Sequence, residues 1–230
     1  MFLLVRRLIF GYIVRRNCVM SASPAITTLD LRGGRLCLDF VNTTEGGHDP
    51  PARDWWTSYA DLVAWGHHAG ALDAAEVAPL LAAATQQPAA AAAVLAAARR
   101  LRTALYRLFQ AAVTGDSPPL TALTTLNATL ADAGSHACLL PAATGFAWGR
   151  LPGAQLDRIL WSVARSAADL LTTPDLARVR ECAGDSCAWL FVDTSRNGSR
   201  RWCDMQDCGN RAKARRHYQR HAGSRIMPKD

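Results

Sequence analysis

Cys182 and Cys187 form one close pair and Cys203 and Cys208 another, with four residues inside each pair and fifteen between the pairs. A tetrahedral zinc ion takes four thiolates at about 2.3 Å. Each short loop offers two sulfurs to one side of an ion, and the two loops together close the shell. With no coordination position left open, such an ion is structural, and its binding supplies folding energy to a segment with little core of its own. Two other readings of these residues stand beside it. A redox disulfide would call for the tighter Cys-x-x-Cys spacing. Mixed ligation through His217 and His221, which share a helix face at i, i+4, runs against the long separation between Cys187 and His217. The chain holds seven cysteines, and Cys18, Cys37 and Cys138 stand singly among apolar neighbours, so a complete disulfide framework within one chain is excluded.

Elements that could hold the four sulfurs are visible around them. Trp189-Leu190-Phe191-Val192 reads as a strand, Asn197-Gly198 is a turn signal, and Arg200 to Trp202 can form the returning strand. The second pair then leads into a helix beginning near Cys208. That helix carries Arg211, Lys213, Arg215, Arg216 and Arg220. At 100° per residue, Lys213, Arg216 and Arg220 fall within about 60° of one another, while Arg211, Arg215 and Tyr218 cluster on the opposite side. One cluster can face a duplex while the other packs on the finger or the body. Arg200 and Arg201 are expected to project from the strand to the same end.

The net charge of +7 is unevenly placed. Residues 20–181 hold 12 basic and 14 acidic groups, whereas residues 182–225 hold 9 basic and 4 acidic ones. A faintly acidic body with a positive C-terminal patch points to a negatively charged partner at one end, and DNA suits an arginine-bearing helix through phosphates and guanine edges. A solvated basic helix that only closes the metal module is the plainer reading of the same charges.

The rest of the chain is helical in character. Half of its residues are hydrophobic, a fifth are charged, and runs such as Ala89 to Ala93 favour helix, so a disordered chain is excluded. Asp30 to Thr44 is a compact apolar run after a Gly-Gly turn, and periodicity leaves strand against helix open there. Ser58 with Asp61, and Asp73 with Glu76, are helix-start pairs; Pro79 is expected to kink the second helix or delay its start. Pro88 opens a long helix to about Val113 with Gly115 as its cap, its apolar side supplied by Leu95, Leu101, Leu105 and Leu108 and the remainder by Arg99, Arg100, Arg102 and Arg107. Leu120 to Gly134 and Leu156 to Leu171 repeat helical spacing, and a hairpin lies between His136 and Arg150. The expected fold is mainly α: a helical N-terminal domain with a small β-hairpin, followed by a small zinc-bound ββα-like module.

At the cysteine segment the chain resembles a known family. CAWLFVDTSRNGSRRWCDMQDCGNRAKARRHYQRH is similar to the CGNR-type zinc finger, with Cys208-Gly209-Asn210-Arg211 as its naming motif. RGGRLCLDFVNT, Arg32 to Thr43, resembles the start of the ABATE domain that precedes this finger in bacterial proteins. The resemblance implies Cys182, Cys187, Cys203 and Cys208 as zinc ligands and a stress-induced transcriptional regulator that binds DNA through its finger. It implies a division into a helix-rich domain over residues 20–175, the finger over 176–225 and a tail over 226–230. Gly209 and Asn210 also have local readings, helix-start geometry and a side-chain bond to backbone.

Further expectations concern what else the chain does and where. As a protein-interaction module without DNA contact, it would bury Trp189, Trp202 and Tyr218 against a partner, and binding would survive high salt. An enzyme is not expected: Asp39, Glu45, His48, Asp49, His67 and His68 come without a nucleophile elbow, phosphate loop or His-Glu metal motif. Trp55, Trp56 and Trp65 are either a pocket for a small-molecule effector or core residues. A homodimer would suit paired half-sites. Residues 1–19 read as an upstream extension before a working start at Met20, with an amphipathic membrane or partner helix and a signal peptide as alternatives. No spanning segment follows, so no membrane and a cytoplasmic setting are expected.

Overall fold

Local capping chemistry sets several of the helix boundaries. The computed structural model describes residues 24–48, 50–150 and 153–223, so the readings placed on residues 1–19, Cys18, Asp49 and the tail from 226 lie outside it. Helix α1, Leu36–Val41, resolves the ambiguous run as a short helix. Its Cys37, Leu38, Phe40 and Val41 are all buried, a helical rather than alternating pattern. Asp39 reaches back 2.7 Å to accept from the Gly33 amide. Burial pushes its carboxyl up to about 6.

A short antiparallel pair, β1, Thr44–Glu45, and β2, Arg53–Asp54, leads to helix α2, Tyr59–His68, which starts on a reciprocal box in which Ser58 Oγ accepts from the Asp61 amide and Asp61 accepts from the Ser58 amide. Asp73 and Glu76 repeat the device at α3, Ala74–Gln86. Pro79 neither delays nor displaces that start, contrary to expectation. It lies in the second turn, where it forfeits a single ladder bond near an already capped end. Helix α4 runs Pro88–Thr114 and stops at Gly115, whose φ of 80° is left-handed. Helices α5, Leu120–Ser135, and α6, Arg158–Leu171, flank a hairpin of β3, Ala137–Pro141, and β4, Phe146–Arg150.

Helix α4 packs on α5, α5 on α6, α6 on α1, and α1 back on α4, which closes a ring around one apolar core. Phe40, Trp56 and Trp65 sit at its centre with no exposed surface, their rings 4.8 to 5.8 Å apart. The three tryptophans therefore do not line one pocket. Trp56 and Trp65 are core residues, because burying two indoles outweighs holding them open, and Trp55 stands apart with the Arg53 guanidinium 3.6 Å above its ring. Among the described residues no single helix is long and apolar enough to cross a membrane.

The C-terminal part joins β5, Val179–Glu181, to β6, Leu190–Val192, as an antiparallel pair. Here the structure departs from the expected hairpin, since Arg200 to Trp202 is not a strand. Its backbone is committed to the cysteine loops: Arg201 O accepts from Ala183 N at 2.8 Å, and the next amide, Cys203 N, points 3.3 Å at Cys182 Sγ. The Asp193 carboxylate takes the amides of Ser195 and Arg200 and so closes the turn through Asn197-Gly198. A π-turn, Met205–Gly209, leads into α7, Asn210–Gly223.

Candidate metal centre and nucleic-acid face

The strand pair and the π-turn bring the four cysteines together from both loops. One sulfur from each lies within 4.8 Å of all the others. Cys187 to Cys203 is 3.6 Å and Cys203 to Cys208 is 3.7 Å. Four sulfurs around one zinc at about 2.3 Å stand about 3.8 Å apart, so the spacing fits the ion. Cys182, Cys203 and Cys208 are buried, and Phe191, fully buried, packs beneath them with Trp189 and Trp202 at the edge. Contacts from Cys187 and Cys203 pull the Cys182 thiol far down, and contact with Cys182 pushes Cys187 and Cys203 up. The Cys187 and Cys203 thiols thus give up their protons most readily beside a cation. Gly184 lets the first loop close, for a Cβ there would meet Cys187 Cβ and Cys208 Sγ at 3.3 Å. The finger holds a structural zinc.

Each residue of Cys208-Gly209-Asn210-Arg211 has a local task. Cys208 supplies a sulfur. Gly209 is buried under Met205, whose Sδ would lie 2.5 Å from a Cβ at that position. Asn210 Nδ2 donates to Gln206 O at 2.8 Å and ties the π-turn to the start of α7. Arg211 Nη2 donates to Cys208 Sγ at 3.2 Å and to Asp207, placing positive charge beside a thiolate. Asp204 caps the turn through the amides of Gln206 and Asp207 and meets Arg32 of the body in an ion pair.

A latch joins the metal centre to the helical body. Asn42 is 1% exposed and pairs with both backbone groups of Leu190, donating to its carbonyl at 2.8 Å and accepting from its amide at 2.9 Å. Val192 N donates to Gly33 O at 2.9 Å, and Trp189 Nε1 donates to Thr44 O at 2.8 Å. His48 Nε2 lies 3.0 Å from the carbonyl of Ala188, a group that only accepts, so Nε2 carries the proton and Nδ1 accepts from Thr44 Oγ1. Ala188 itself is left-handed, with φ 55°. Sequence reasoning missed this latch; its one signal is a polar Asn-Thr-Thr step directly after an apolar run. Asn42→Ala leaves both Leu190 groups buried and unpaired, an expected loss of about 2–4 kcal/mol read from the denaturant midpoint. Asn42→Asp still accepts from the Leu190 amide, so hydrogen exchange there should stay slower than in the alanine variant.

The basic residues divide into two sets. Arg211 is tied to Asp207 and Cys208, and Arg215 forms an ion pair with Asp185 of the first cysteine loop. Lys213, Arg216 and Arg220 are exposed and have no acidic partner among the described residues. Arg200 does not project outward: its guanidinium lies 4.3 Å from the Phe191 ring and donates to Trp202 O and Cys203 O. Arg201 stays exposed beside Trp202, 5.3 Å from its ring. Among the described residues the metal-capable group consists of the four cysteines, without His217.

Comparison with protein families places both parts. The ABATE model, described as “Putative stress-induced transcription regulator”, matches residues 34–174, and the CGNR zinc finger model matches residues 178–221. Both are regulator or zinc-finger families rather than enzyme families. No curated protein matches the chain.

Proposed function

Because the chain belongs to the ABATE family and carries a CGNR zinc finger, we propose that it is a DNA-binding transcriptional regulator whose finger presents α7 to the duplex. In this reading residues 20–175 form the regulatory body, residues 176–225 the finger, and the protein works beside the bacterial chromosome in the cytoplasm. The observation that carries it is the exposed face of Lys213, Arg216 and Arg220, three cations on a helix that is polar all round. Such a helix has little to hold it except its start on the metal centre and an external partner. Arg211 and Arg215 orient the helix on the finger, Arg201 adds charge at the same end, and Lys213, Arg216 and Arg220 meet phosphates. The competing protein-docking reading needs Trp189 free, and Trp189 is already bound to Thr44 of the body.

Salt dependence tests the proposal. With about 4–5 phosphates neutralised, log affinity for duplex DNA should fall against log salt with a slope near −4. Replacing Lys213, Arg216 and Arg220 together by Gln should flatten that slope by about 2–3, since each phosphate contact contributes about 0.9. A slope near zero in the unaltered protein defeats the reading.

A further inference from the structure

The largest cleft described in the molecule lies far from the cysteines along the chain. It measures about 970 Å³ and opens between the β3–β4 hairpin, the start of α3, the end of α5 and the first half of α6. That volume lies at the upper end of the range for small-molecule sites. Its lining is two-sided. Leu72, Leu130 and Ala133 give an apolar side, and Arg150, Arg158 and Arg165 a cationic one.

The three arginines are prepared to different degrees. Arg150 and Arg158 share the Glu76 carboxylate, which orients both guanidinium groups and cancels only one of their charges. Arg158 is nine-tenths buried, and its Nε–H has no hydrogen-bond partner. That Nε–H is closed off within the protein, so Arg158 lends its charge to the cleft wall while its Nη groups stay on Glu76, Gly153 O and Gln155 Oε1. Arg165 is exposed without an acidic partner among the described residues, and its guanidinium lies 5.6 Å from the Trp148 ring. That ring is 65% exposed on the hairpin, and Leu139, its cross-strand neighbour, is also exposed. A large exposed indole beside a cationic wall is a surface that natural proteins keep for ligands.

We propose that this cleft binds a small organic carboxylate with a flat apolar body. Arg165 offers a planar fork that matches a carboxylate, Arg150 and Arg158, held on Glu76, Ser162 and Gly153, add positive charge behind it, and Trp148 with the leucines covers the rest of the ligand. Charge fixes the valence: the three arginines face Glu76 and Asp73 in the lining, a surplus that suits a monoanion better than a phosphate ester. The site stands whether or not α7 meets DNA. Where both hold, the ligand is the effector of the regulator, bound on the hairpin rather than at Trp55, Trp56 and Trp65.

Calorimetry of the full zinc-loaded chain, without DNA, against 2-naphthoate and its neutral isostere 2-naphthamide tests this directly. One carboxylate should bind per chain, about tenfold or more tighter than the amide, the margin expected of a charge-assisted hydrogen bond. Arg165→Gln, an exposed change that leaves the core intact, should erode that preference, and Arg150→Gln should erode it further. Trp148→Ala should weaken both probes alike. Equal affinity for the two probes overturns the proposal, as does a preference unchanged in both arginine variants or no saturable carboxylate binding at millimolar concentration. Because no nucleic acid is present, failure here leaves the salt-slope test of α7 unaffected.

Discussion

Stripping the metal with a chelator under reducing conditions should unfold the cysteine loops, residues 182–188 and 199–210, loosen the β5–β6 pair and leave the α1–α6 body helical. Val179, Leu190 and Val192 of the strand pair join the body core, but the cysteine loops have little else to hold them: beneath the sulfurs Phe191 is the one large side chain of their buried cluster. Zinc binding to such modules is worth about 10–16 kcal/mol at neutral pH, more than a small finger has in reserve. Elemental analysis should find one zinc per chain before treatment and none after. Hydrogen exchange should then accelerate at the Leu190 and Val192 amides, which bond to Asn42 and Gly33, and stay slow through α4. Cys203→Ser should reproduce the chelated state. Acid acts in the same direction. Crowding pushes the Cys187 and Cys203 thiols up when no cation is present, so binding zinc expels their protons and affinity falls as pH drops. The zinc dissociation constant, read against a competitor of known pH dependence, should therefore rise from pH 8 to pH 6. Equal finger protection with and without metal would remove zinc as the organiser.

The parts legible in the sequence are those decided by neighbours along the chain. Ser58 with Asp61, Asp73 with Glu76, and Pro88 with Gly115 announce three helices because their capping bonds span three or four residues or fix a single φ. The cysteine pairs are legible for the same reason: each pair is a local loop. Long-range pairings are not. Strand β6 joins β5, ahead of the first cysteine, because Arg201 and Cys203 are taken up in closing the loops, and spacing alone does not reveal that. Asn42 meets Leu190 across 148 positions, so nothing beside either residue marks the contact. The arginines of α4 show the same limit. The spacing puts Arg102 with Arg99, Arg100 and Arg107 on the polar side, yet it is 5% exposed, because an acid 48 positions earlier, ahead of α2, comes to meet it.

That acid is Asp54, and Arg102→Leu should destabilise the protein by about 3–5 kcal/mol, the cost of breaking a buried ion pair on one side. Arg102 forks onto Asp54 at 2.7 and 2.9 Å, reaches Thr43 Oγ1 at 3.0 Å, and lies 4.5 Å from the Trp56 ring. Without it Asp54 keeps only the Trp56 amide and Arg99, which is itself partly exposed. Burial raises the Asp54 carboxyl, and the Arg102 fork outweighs burial and holds it below the usual range. A depressed carboxylate stabilises the fold above its unfolded value near pH 4 and loses that contribution as pH falls through the folded value. The gap between wild type and Arg102→Leu should accordingly narrow on acidification below pH 4. Asp54→Asn should be costly as well, since it leaves the Arg102 charge buried, and the double variant should cost less than the two single changes combined. The pair also reaches the metal centre, because Thr43 stands between Asn42, which grips Leu190 of β6, and Thr44, which holds Trp189 just ahead of it. Arg102→Leu should therefore quicken exchange at Leu190 while zinc stays bound. Additive single variants, or a cost below about 1 kcal/mol, would reduce Arg102 to an ordinary surface arginine.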